Sequence, residues 1–167
     1  MALYIDGMIA CNSREDALRI DASFKNLPFV HNLGDPPPYV DEQRIWWISI
    51  TPKGIGYGVP YDSPDDRASY APVRPGILAS LYEHLRACTG YKLALFGLEV
   101  GERFHDMDED QRCLLGGVPM PRDLTTNEGL VVSEETFLSV ENKEHFERFS
   151  MGYYWIARTD GWREFDR

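Results

Sequence analysis

Cysteine is scarce in this 167-residue chain, basic residues are outnumbered, and long apolar runs are missing. The three cysteines, Cys11, Cys88 and Cys113, are far apart, odd in number and outside any CxxC spacing. That argues against a disulfide framework or a zinc site and for a reducing compartment. Lys and Arg total 17 against 27 Asp and Glu, a formal net charge of -10. A field of that sign repels phosphate backbones and anionic lipid, so neither nucleic acid nor a membrane is an expected partner, whereas a basic protein is attracted. No window reaches the apolar length a membrane helix needs. The opening MALYIDGMIACNSRED meets acidic residues at once, unlike a signal peptide. The cytoplasm is the expected location.

Catalytic signatures are missing too. There is no GxSxG elbow and no HExxH. Gly54, Gly56 and Gly58 form GxGxG without a following helix and without the Lys-Ser or Lys-Thr of a phosphate loop. Asp106, Asp108 and Asp110 have calcium-loop spacing, but Gln111 stands where the turn needs Gly, and Gly117 where the closing Glu belongs. They read as a solvated acidic loop. His31, His84, His105 and His145 share no ligand spacing, so no metal and no cofactor are expected. His84 and Cys88 fall on one helical face, a conceivable nucleophile pair. Cys88 also continues that helix's apolar stripe, which favours a core thiol.

What the chain does carry is enough apolar surface to fold. Hydrophobic residues make up 43% and aromatics 13%, more than a disordered acidic segment contains. A single globular domain, 1–167, is expected, and one of this size buries roughly 70% of its unfolded surface. GDPPPYVD (34–41) and YDSPDDRASYAPVRPG (61–76) read as loops within it. Between them, Thr51-Pro52-Lys53-Gly54 suits a turn joining two antiparallel strands, a hairpin over about 43–61. Trp46, Ile48 and Ile50 then share one face, and Trp47, Ser49 and Thr51 the other. Both faces look apolar enough to be covered, which suggests a central position.

RPGILASLYEHLRACTG predicts the main helix, about 75–89, with Ile77, Leu78, Leu81, Leu85 and Cys88 at helical spacing and Gly90 as its stop. A buried strand follows from Tyr91 to about Phe96, bending at Gly97 and continuing to Val100. The segment 101–129 reads as loop with short helical pieces. Leu130 to Val132 reads as a strand, Ser133 as the start of a helix, and NKEHFERFS as a helical turn or two. Tyr153 to Ala157 and Trp162 to Phe165 pair across Asp160-Gly161 in a second hairpin, about 153–165. The expected class is α+β: a mainly antiparallel sheet with one main helix packed on it.

Size, charge, absent catalytic motifs and the tail GLVVSEETF...HFERFSMGYYWIARTDGW make the chain resemble the small acidic immunity proteins of bacterial polymorphic-toxin and secreted-effector systems. The resemblance implies a non-enzymatic cytoplasmic protein that binds a cognate toxin domain and blocks it. On the residues themselves, Asp106, Asp108, Glu109 and Asp110 are the candidate charge-complementary cluster. Tyr154 and Trp155 are candidate aromatic contacts, since exposed aromatics beside carboxylates suit a basic partner. Two alternatives stand beside this: a small enzyme or ligand-binding domain with a pocket near His84 and Cys88, and a subunit of a phage or secretion assembly.

Overall fold

The first helix begins where the sequence supplies a cap. Ser13 is extended, its hydroxyl accepts the Asp16 amide, and Glu15 and Asp16 put negative charge in the first turn of α1, Arg14–Lys25. Such a charge complements the helix dipole. Ala17, Ile20 and Phe24 form its buried stripe. The computed structural model describes residues 5–30, 37–52, 74–98, 100–105, 108–125 and 127–157. The main helix, α2, runs Arg74–Arg86 and buries Ile77, Leu78, Leu81 and Leu85. The chain turns into the next strand through Gly90 at φ +88°, a conformation that favours glycine.

These helices lie on one face of an antiparallel sheet. Its strands are β1 (Ile5–Cys11), β2 (Tyr39–Val40), β3 (Trp46–Ile50), β4 (Tyr91–Leu98), β7 (Val131–Ser133), β8 (Glu147–Ser150) and β9 (Tyr153–Trp155). The order across the sheet is β2-β3-β1-β4-β7-β9-β8. Side chains alternate between faces along each strand. Ile9, Ile48, Ile50, Ala94, Phe96, Val131 and Tyr153 therefore pack under α1 and α2. Met8, Ala10, Trp47, Leu93, Leu95 and Val132 point the other way.

A second layer covers that opposite face. It comprises α3 (Val100–His105), a hairpin of β5 (Arg112–Leu115) and β6 (Val118–Pro121), and α4 (Glu134–Ser139). Val100, Phe104, Val118, Met120 and Leu124 are buried there with the sheet residues. Buried Asp6 links the layers: its carboxylate accepts the Val100 and Gly101 amides, each at 2.7 Å, at the start of α3. The α+β class expected from the sequence is the class observed.

Several local expectations are corrected. Val100 opens a helix instead of extending β4. The segment 101–129 contains the β5–β6 hairpin, turning at Gly116 and Gly117 with φ +59° and +79°, as well as short helical pieces. Glu147–Ser150 within NKEHFERFS is a strand, and only Lys143–His145 forms a helical turn. The edges of β9 are taken by β7 and β8, so its hairpin partner precedes it in the chain. Trp162 to Phe165, the expected partner, lies outside the described residues. So does 53–61, the second arm of the hairpin expected at 43–61. The described neighbours of β3 are β1 and the two-residue β2, which puts β3 beside an edge strand. Both its faces are nevertheless covered, with Trp47 buried and its indole Nε1 donating to Asp41 at 2.7 Å. No helix among the described residues is long and apolar enough to cross a membrane.

Candidate functional site

The acidic residues singled out from the sequence sit at the entrance to the β5–β6 hairpin. Asp108 precedes a single 3-10 turn, Glu109–Gln111, that leads into β5. Asp108, Glu109 and Asp110 are all exposed. None of the three enters an ion pair among the described residues. Adjacent like charges that find no internal partner project a field into solvent instead of tying the fold together. Asp106 lies outside the described residues.

Tyr154 and Trp155 are brought to the same strand but to opposite faces. Tyr154 packs with the second layer, its ring stacked on Phe137 at 4.0 Å and 11°. Trp155 packs on the helical side against Phe149 and Tyr82. Its indole N–H donates to Glu147 at 3.0 Å, and the Arg86 guanidinium lies 5.3 Å above its ring. Arg86 also donates to the Phe149 carbonyl. Both aromatics are half-buried, held by packing on the sheet. A single flat partner surface cannot centre on both. Tyr154 shares the layer of the acidic turn; Trp155 does not.

His84 and Cys88 meet a third residue that the sequence did not single out. Ser23, on α1, places its hydroxyl 2.8 Å from His84 Nε2 and 3.8 Å from the Cys88 thiol. The thiol itself donates to the His84 carbonyl at 3.6 Å. Imidazole and thiol therefore do not form a direct pair; each turns to another group. Burial pushes the Cys88 thiol up, only partly offset by the Ser23 hydroxyl and the charge of Arg19. Burial likewise holds His84 below its ordinary value, so the ring is neutral at pH 7. Cys88 is part of the core under α2, and Phe24 closes edge-on against the His84 ring at 4.7 Å. A protonated, buried thiol is not an activated nucleophile. Ser23 and His84 have the spacing of a hydroxyl and its base, but no third polar group is recorded on the ring among the described residues. Its visible role is to satisfy polar atoms between α1 and α2. Ser23 was findable only by first recognising α1 as a helix.

The start of α4 is a junction the sequence reveals in part. Ser133 caps the helix, its hydroxyl accepting the Thr136 amide at 3.3 Å. Two turn tips close on this point. A Cβ on Gly116, in the β5–β6 turn, would fall 2.5 Å from Thr136 Oγ1. The Glu134 amide donates to the Gly152 carbonyl in the β8–β9 turn at 2.8 Å. Among the described residues, no cluster of His, Cys, Asp or Glu is arranged to hold a metal ion. Comparison with known proteins brings no match: no family model fits the chain, and no curated protein and no solved structure is significantly similar to it.

Proposed function

We propose that this protein acts by binding another protein, as an immunity protein that docks on a basic toxin or effector domain and blocks it without chemistry of its own. The observation that carries this reading is the exposed run Asp108, Glu109 and Asp110, unpaired on the described surface of a chain whose net charge is -10. Carboxylates arranged in this way speed association with a cationic surface and select against acidic ones. Tyr154, stacked and pre-ordered on the same layer, supplies contact area with little side-chain entropy to lose.

The test is genetic and direct. The product of the gene adjacent to this one is expressed alone and then together with this protein. Toxicity alone and rescue by co-expression are the expected results, with rescue weakened when Asp108, Glu109 and Asp110 are all changed to Lys. A neighbouring product that is harmless alone removes the reading, as does rescue that the three lysines leave untouched.

A further inference from the structure

Two acceptors on α2 lie within reach of the Ser23 hydroxyl: His84 Nε2 at 2.8 Å and Cys88 Sγ at 3.8 Å. Cys88 gives its own hydrogen to the His84 carbonyl at 3.6 Å. The ring nitrogen is the nearer acceptor and the stronger one, thiol sulfur being weak, so the hydroxyl hydrogen is directed at the imidazole. Burial keeps that imidazole neutral at pH 7, which leaves Nε2 its lone pair. Phe24, edge-on at 4.7 Å, fixes the plane of the ring. Ser23 and His84 are each only half-buried, and their exposed neighbours on the two helices, Ala22 and Ala87, add no bulk. A reagent from solvent therefore meets a hydroxyl whose proton already has a base.

We infer that Ser23 is a nucleophilic serine activated by His84, and that it accepts an acyl group from an ester with a good leaving group. The site lies on the helical side of the sheet, apart from the acidic turn, and does not depend on the binding reading above. In the step, Ser23 Oγ bonds to the ester carbonyl carbon while the hydroxyl proton passes to His84 Nε2. The bond from that carbon to the leaving oxygen then breaks, and its electron pair departs with the leaving group; nothing is oxidised or reduced. Ser23 lies inside α1, whose amides are spent on the helix, so the helix offers no paired amides to an oxyanion. Arg19, one turn earlier on the same face, supplies the positive field there, and its charge is felt at Cys88. These groups equip the site for one acyl transfer per chain, not for turnover. The other charges on the two helices are engaged: Asp16 with Arg19 at 2.8 Å, Asp21 with Lys25 at 2.9 Å and Glu83 with Arg86 at 3.7 Å.

The test treats the whole protein with p-nitrophenyl acetate between about pH 5 and 8, and locates the acetyl groups by peptide mass mapping. One acetyl on Ser23 is expected, formed about a hundredfold faster in the native chain than in the urea-unfolded one. Its rate should rise with pH as His84 loses its proton, with a midpoint below about 6.5, and then level off. His84→Gln keeps a polar partner for the hydroxyl but supplies no base, so acetylation of Ser23 should slow by about a hundredfold or more; Ser23→Ala should remove the label from that peptide. Should His84→Gln fail to fold, the pH profile of the native chain decides alone. A native Ser23 that takes no acetyl, a rate independent of pH over this range, or a folded His84→Gln variant labelled as fast as the native chain would each reduce the contact to a structural hydrogen bond and overturn the inference.

Discussion

Gly7 faces Phe96 across the β1–β4 pairing, and the ring lies where a side chain at Gly7 would be. A Cβ built there would fall 2.0 Å from Phe96 Cδ1. Gly7 is not among the residues with a left-handed backbone, so nothing but space requires glycine. In an open strand Gly→Ala would stabilise by about 0.4–1 kcal/mol through chain entropy. Here Phe96 cannot retreat: it is fully buried, 5.8 Å from the Phe24 ring and 5.1 Å from Tyr82, whose hydroxyl bonds the Phe96 carbonyl and amide. Overpacking of this kind costs about 1–3 kcal/mol. With a urea m-value of about 2 kcal/mol/M, Gly7→Ala should lower the unfolding midpoint by about 0.5–1.5 M. Phe96→Leu removes the ring that the methyl meets and costs about 1–2 kcal/mol by itself. In the double variant the two losses should not add, leaving a coupling of about 1–2 kcal/mol. A neutral or stabilising Gly7→Ala, or strict additivity with Phe96→Leu, would refute the packing described for this face.

Other outcomes follow from single contacts. Asp41→Ala should cost about 2–3 kcal/mol in denaturant unfolding, because it strands the indole N–H of buried Trp47 and frees the Ile45 amide, bonds of 2.7 and 2.8 Å. Tyr153→Phe should cost about 1 kcal/mol, since its hydroxyl accepts the Gly90 amide at 3.0 Å and the Tyr91 amide at 3.4 Å. His84 is held below its ordinary value by burial, so the unfolded chain takes its proton first as pH falls. Its contribution is therefore whole above about pH 6.5 and declines below it; His84→Gln should flatten that part of the stability profile measured by thermal unfolding. In thiol titration of the native protein, half-buried Cys113 should react first, while Cys11 and Cys88, buried with their thiols pushed up, should react only on unfolding.

The parts of the fold legible in the sequence are those whose signal is local. The stripe Ile77, Leu78, Leu81 and Leu85 with Gly90 beyond it specifies α2 to within a few residues, and Ser133 ahead of Thr136 marks the start of α4. The alternation of Trp46, Trp47, Ile48 and Ile50 assigns each to its face. α1 carried a comparable signature in Ser13, Asp16, Ala17, Ile20 and Phe24, but Asp21 is buried in the same stripe and blurs its apolar edge. The β5–β6 hairpin was masked by Pro119 and Pro121, residues that argue against a strand unless it is short or at an edge, as this one is. β8 has only Phe149 buried among four residues, too few for a period of two to show. Strand order was beyond reach altogether: inserting β1 between β3 and β4 is a long-range choice. For the candidate site, the acidic run was visible because charge is normally exposed. Ser23, beside His84 and Cys88, was not, since it lies on a helix whose stripe the buried Asp21 blurs.

The most direct measurement is calorimetric titration of the product of the adjacent gene, the proposed toxin, with this protein, at low and at physiological salt. The native chain should bind with an affinity that falls about tenfold or more between the two conditions. A variant with Asp108, Glu109 and Asp110 all changed to Lys should bind more weakly and lose most of that salt dependence. Equal affinity at both salt concentrations, or a lysine variant that binds as the native chain does, would contradict recognition through this acidic face.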